Sequence, residues 1–224
     1  MIKKKLFALI AFLAVGVGAW AQNLTQYVDP YIGTGGHGHV FLGANVPYGL
    51  VQVGPTQYKR GWDWCSGYHY SDSVIIGFGQ MHLSGTGIGD LGDIALLPTT
   101  DATQRDVMFS HKGEHARPGY YSVMLKSGIK VDLTATARVA LHRYTYPADA
   151  QMAFVRLDLS QGIGWDKMTK SAFKQNSSTE LSGYRYSTGW AKDQRVYFVA
   201  QFSRPVTLDT SQGDSLAVLS TPNN

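Results

Sequence analysis

From residue 50 onward the chain places hydrophobic residues at every second position in short runs, with turn residues between the runs. Val131, Leu133 and Ala135 alternate with Asp132, Thr134 and Thr136, the period of a strand with one wet face. Across 138–146, Val139, Leu141, Arg143 and Thr145 alternate with Ala140, His142, Tyr144 and Tyr146, and Pro147 ends the run. Across 179–187, Leu181, Gly183 and Arg185 share one side while Ser182, Tyr184 and Tyr186 share the other. Further strands are predicted at 50–53, 73–78, 94–97 (stopped by Pro98), 105–111, 120–125, 129–135, 154–159, 195–202, 206–208 and 215–219. Residues 161–178, rich in Gly, Lys, Ser and Asn, read as the most loop-like interior stretch. No segment carries a 3.6-residue apolar period over three turns. Many short strands separated by turns predict an all-β fold, a large two-sheet antiparallel β-sandwich.

The N-terminus follows a different pattern. Lys3, Lys4 and Lys5 precede an apolar run over 6–17, and Ala19-Trp20-Ala21 fits a small-x-small cleavage pattern. Residues 1–21 are therefore predicted to be a signal peptide, and 22–224 one mature domain. The run is shorter than the ~20 apolar residues of a membrane span. An exported protein, periplasmic or extracellular, with no membrane anchor is expected. Export also changes the charge. The chain has 20 Lys+Arg against 16 Asp+Glu, and loss of the three N-terminal lysines leaves 17 against 16. No basic run remains for a phosphate backbone, so nucleic acid is not expected as a partner.

The chemistry concentrates in residues 61–93, which hold two of the five Trp, the sole Cys and two of the seven His, with glycines interspersed. Aromatic faces beside directional hydrogen-bonding groups suit a sugar, whose ring has an apolar C–H face and a polar rim. Trp62 and Trp64 are candidate stacking residues, and Cys65, Tyr68, His69, His82 and Asp90 candidate lining residues. An aromatic-rich stretch is more often core than site. The lone Cys65 excludes an intrachain disulfide. Trp165 and Trp190 are read as packing. His37 and His39, two apart in a glycine-rich segment, have the spacing to share a metal. A pair of hydrogen-bonding loop histidines is favoured, because no third ligand stands at a recognisable spacing, and no metal ligand is assigned. Asp63, Asp72, Asp90 and Asp93 are the nearby carboxylates, and turn capping is the simpler role for each.

Four blocks carry a resemblance. They are Val28-Asp29-Pro30-Tyr31-Ile32-Gly33-Thr34 with Asn45-Val46-Pro47-Tyr48-Gly49; Ser66-Gly67-Tyr68-His69-Tyr70 with Ile76-Gly77-Phe78; His82-Leu83-Ser84-Gly85-Thr86-Gly87 with Asp90-Leu91-Gly92-Asp93; and Glu114-His115-Ala116-Arg117-Pro118-Gly119-Tyr120-Tyr121 with Leu133-Thr134-Ala135-Thr136 and His142-Arg143-Tyr144. In order and spacing, over residues 22–202, they resemble the N-terminal domain of glycoside hydrolase family 92, calcium-dependent, exo-acting, inverting α-mannosidases. Ile88 departs from the pattern, where many relatives carry Cys. The resemblance implies a sandwich of the galactose-mutarotase-like supersandwich type. It also implies a C-terminal (α/α)6 domain that supplies the acid and base, a mannose-containing glycan such as an N-glycan or mannan as substrate, and calcium in the complete enzyme. No catalytic residue is expected in this chain. A free-standing carbohydrate-binding module and a structural or assembly domain are the competing readings.

Overall fold

The computed structural model describes residues 24–223, so the predicted signal peptide lies outside the described residues. Fifteen strands follow in order: β1 (Ala44–Asn45), β2 (Gln52–Thr56), β3 (Val74–Ile75), β4 (Gly77–Gly79), β5 (Ala95–Thr99), β6 (Val107–Arg117), β7 (Tyr120–Leu125), β8 (Lys130–Ala135), β9 (Ala140–Thr145), β10 (Met152–Asp158), β11 (Lys167–Ser177), β12 (Glu180–Thr188), β13 (Gln194–Gln201), β14 (Thr207–Asp209) and β15 (Leu216–Pro222). Single 3-10 turns at Leu24–Tyr27 and Trp62–Trp64 are the helical elements among the described residues. No described helix is long and apolar enough to cross a membrane.

The fold is all-β and its sheets are antiparallel. A seven-stranded sheet runs β1-β2-β4-β5-β10-β15-β14, a five-stranded sheet β3-β6-β7-β8-β9, and a three-stranded sheet β11-β12-β13. Two apolar clusters match this division. In the first, Val53, Leu42 and Phe78 meet Tyr121, Val123, Val131 and Leu133 from the five-stranded sheet. The register puts Tyr121 opposite Leu133 and Val123 opposite Val131, so the period-2 hydrophobics of β7 and β8 form one inward face. In the second, Leu157, Leu159, Ala217 and Leu219 meet Leu181, with Val196 and Phe198 packed alongside. The five- and three-stranded sheets thus cover opposite halves of the long one.

Several sequence expectations need correction. The strand predicted over 73–78 is two strands in different sheets: β3 pairs with β6, and β4 pairs with β2 and β5. The chain crosses between layers at Ile76, whose N–H bonds to Thr56 O at 2.8 Å. Gly77 permits the crossing, since a Cβ there would sit 2.8 Å from the Ala95 methyl. Residues 161–178 are mostly strand, because β11 occupies Lys167–Ser177. Its lysines and its two register shifts are devices of an edge strand, so a polar composition there is no mark of a loop. Pro98 does not stop β5. It lies opposite Val155 of β10, while β4 meets β5 only at Leu96, so the missing N–H falls where no ladder partner is needed. Asp132, expected on a wet face, is only 4% exposed. It is covered by Tyr120, Lys130 and both Nε and Nη2 of Arg143.

Candidate functional site

The 3-10 turn Trp62–Trp64 is the centre of a polar, aromatic cluster. Asp63 Oδ1 accepts from His37 Nδ1 at 2.6 Å and from His39 Nε2 at 3.2 Å. His39 reaches it from a left-handed backbone (φ 55°) within a tight glycine loop, where a Cβ on Gly38 would lie 2.1 Å from Gly33 O. The Trp62 ring lies 4.2 Å from the His39 ring between centroids. The Trp62 indole donates to Gly87 O at 2.7 Å. The hydrogen bond from His37 is the largest influence holding the Asp63 carboxyl below its usual range. The sequence reading missed Asp63 as the partner of the two histidines because it stands 24 residues beyond His39.

Of the residues singled out from sequence, Trp62 is open, 61% exposed. Trp64 stacks on His69 at 4.3 Å and donates to Asp72 at 3.2 Å. Asp72 also holds Arg60 and caps the N–H groups of Ser73 and Val74, the capping role expected of it. His69 is tied to Ser71 Oγ and Gly36 O. Trp64 and His69 therefore buttress the turn that presents Trp62. Cys65 is buried, and burial pushes its thiol pKa up, away from a poised nucleophile. Tyr68 is buried and donates to Glu114 at 2.9 Å. Asp90 is buried and accepts from Trp190 N–H and Gln194 Nε2.

His82 is buried as well. Its Nδ1 lies 2.8 Å from Gln52 O and donates to it, so Nε2 accepts from the Thr56 hydroxyl at 3.1 Å. Burial lowers its pKa to about 4 from 6.5, outweighing the hydrogen bond to Gln52, which raises it. The folded value is depressed, so the unfolded chain takes the proton first as pH falls. The neutral ring's contribution is complete above pH 6.5 and is lost between 6.5 and about 4, worth ~3 kcal/mol. His142, also lowered to about 4 by burial, acts in the same sense. Urea midpoints should fall across that window and flatten in part in His82→Gln. A midpoint independent of pH there contradicts the buried neutral ring.

The glycine-rich loop after His82 runs from the Trp62 turn to a second aromatic feature. Trp165 N–H donates to Gly89 O at 2.8 Å, and Trp190 N–H to Asp90 Oδ2 at 3.0 Å. Gly89 and Gly164 touch so closely that a Cβ on Gly164 would meet Gly89 Cα at 2.4 Å. Trp165 and Trp190 are not packing residues: they are 59% and 65% exposed. Their rings stack on each other at 6.3 Å and 23°. One loop thus carries Trp62 at Gly87 and the Trp165–Trp190 pair at Gly89 and Asp90. A sequence signal existed, since among the described residues the three exposed tryptophans directly follow glycine, at Gly61, Gly164 and Gly189, and Trp64 does not.

Beneath this face lies a buried ionic knot. Arg185, fully buried on β12, donates to Asp93 Oδ1 at 2.6 Å and to both oxygens of Asp166. It also donates to the carbonyls of Leu159 and Gln161, each at 2.8 Å. Burial pushes Asp93 up against the downward pull of Arg185. Of the four aspartates expected to cap turns, Asp72 does so, whereas Asp63, Asp90 and Asp93 are instead engaged by side chains distant in sequence.

Fold and site define a β-sandwich domain with one loop-bearing face rich in exposed tryptophan. The family model for the glycosyl hydrolase family 92 N-terminal domain matches residues 27–218, and the chain belongs to that family. The structure is similar to the family GH92 α-mannosidase BT3965 from Bacteroides thetaiotaomicron in complex with mannoimidazole. The match has a TM-score of 0.83 and 31% identity, covering 90% of this chain and 31% of that one. It is also similar to the GH92 family glycosyl hydrolase ccman5, with a TM-score of 0.77 and 26% identity, covering 89% and 30%. A curated relative, described as an uncharacterized secreted glycosidase from Arthroderma benhamiae, is 31% identical over 137 residues, 56% of this chain and 18% of its own length. The chain spans less than a third of each of these relatives.

Proposed function

We propose that the chain is the N-terminal sandwich of an exported, exo-acting, inverting α-mannosidase that trims mannose from N-glycans or mannans. It supplies a wall of the substrate pocket, and the acid and base belong to a C-terminal (α/α)6 domain. Export is supported by the leader-like N-terminus and by the secreted description of the Arthroderma benhamiae relative. The observation that carries the reading is the loop with Trp62 at Gly87 and the Trp165–Trp190 pair at Gly89 and Asp90. An indole face under a pyranose ring contributes on the order of 1 kcal/mol beyond area burial, by analogy with aromatic pairs. Inverting hydrolysis needs two free carboxyl groups about 6.5–9.5 Å apart. The carboxylates near this face are instead engaged by His37, Arg60, Gln194 and Arg185. Calcium belongs to the complete enzyme in this reading. It favours six to eight oxygen ligands, and the donors that converge here, two imidazoles and one carboxylate, do not fit it. The free-standing carbohydrate-binding module is the second reading, favoured by the same exposed tryptophans. A reading frame continuing into helical repeats beyond Asn224 separates the two.

The test is a titration of the chain with α-mannobiose, assayed for bound ligand and for free mannose, with and without calcium. Saturable binding without mannose release is expected. Release of mannose would place the acid–base pair in this chain and overturn the division of labour, and absence of binding would remove the wall.

A further inference from the structure

We propose that His37, His39 and Asp63 form a binding site for a divalent transition metal of the zinc, cobalt and nickel class, distinct in chemistry from any calcium site. The three side chains offer His37 Nδ1, His39 Nε2 and Asp63 oxygen within 4.8 Å of one another. Around a tetrahedral ion with bonds of about 2.0–2.1 Å, ligand atoms stand roughly 3.3 Å apart. The observed separations to Asp63 Oδ1 are 2.6 Å from His37 and 3.2 Å from His39, so a small outward movement of His37 admits the ion. That movement is free, because the His37 side chain is 79% exposed while that of His39 is only 7% exposed. His39 and Asp63 form the fixed half of the site, set by the glycine loop and by the 3-10 turn, and His37 closes it.

The donor set decides the metal. Two imidazole nitrogens and one carboxylate oxygen suit zinc and its neighbours, whereas calcium selects all-oxygen sites. Three protein ligands leave a fourth position, on the solvent side with His37, for water or a ligand oxygen. In the metal-free arrangement both ring nitrogens facing Asp63 donate to it. Metal binding requires their lone pairs, so the ring protons pass to His37 Nε2 and His39 Nδ1.

The Trp62 ring, 4.2 Å from His39 and 6.0 Å from His37, provides a reporter. Untagged chain is titrated with Co2+ in chelator-free buffer, following visible d–d absorption and tryptophan fluorescence. One saturable equivalent with tetrahedral bands, displaced by Zn2+ and not by excess Ca2+, is expected. His37→Ala, at an exposed position where folding is not at risk, should weaken binding at least tenfold. His39→Ala should abolish it. Trp62→Phe should bind normally and lose most of the quenching. Failure of the unaltered chain to bind at micromolar Co2+, unchanged affinity in His37→Ala, or displacement by Ca2+ would each overturn the proposal. This outcome is independent of the mannoside titration, so the two readings fail separately.

Discussion

Replacing Arg185 with methionine is expected to lower the stability of the domain by about 3–5 kcal/mol, the cost of leaving buried charge without its partner. The guanidinium is fully buried, and it donates to Asp93 Oδ1, Asp166 and the carbonyls of Leu159 and Gln161 at once. Methionine fills much of the volume but leaves two carboxylates in the interior with no cation. Both must then take up a proton to remain buried. The effect reaches the site, because Asp93 ends the glycine-rich loop and Asp166 adjoins Trp165. Urea unfolding should show the loss, and indole signals of Trp165 and Trp190 should broaden or shift. Neutralising the carboxylates together with Arg185 should recover part of it, since a buried ion cluster replaced as a whole by apolar groups is often near neutral. A loss below about 1 kcal/mol for Arg185→Met would mean that the cluster is solvated.

Glu114→Leu is expected to cost about 3 kcal/mol or more, from buried donors left without an acceptor. The Glu114 side chain is fully buried and accepts from the hydroxyls of Tyr68 at 2.9 Å and Tyr121 at 2.8 Å, and from His111 at 2.7 Å. Both tyrosines are fully enclosed in the first apolar cluster, where no water replaces the lost carboxylate. Glu114→Gln keeps a carbonyl oxygen for one or two of the three donors and should lose about half as much. Equal losses for Gln and Leu would show that charge, rather than the count of acceptors, sets the energy. Tyr68, a candidate sugar contact from its neighbourhood in sequence, is thereby explained as a member of this interior network.

The alternation of Val131 and Leu133, and the turns that separate the runs, made the sandwich legible, because period 2 with one buried face has few other meanings. The division into three sheets was less so. A single apolar run over 73–78 serves two sheets, and only the glycines around Phe78 hint that the backbone changes layer. The edge strand β11 was hidden by its polarity, and Arg185 by the rule that charged side chains point outward. At the site, Trp62 could be read from composition, but the convergence of Asp63 on His37 and His39 is a tertiary event with no local signature. Trp165 and Trp190 were misread because a tryptophan far from a motif is usually core. Their preceding glycines were the overlooked sign, since each brings the backbone against the loop and leaves the indole outside.

The central claim is that this face, and Trp62 above all, receives the sugar. Heteronuclear NMR of the indole N–H signals during titration with α-mannobiose tests it residue by residue. The account predicts saturable shifts of the Trp62 signal and smaller ones of Trp165 and Trp190. The Trp64 signal, whose N–H is held by Asp72, should stay nearly still. Saturable binding that moves Trp64 and leaves Trp62, Trp165 and Trp190 in place would contradict it.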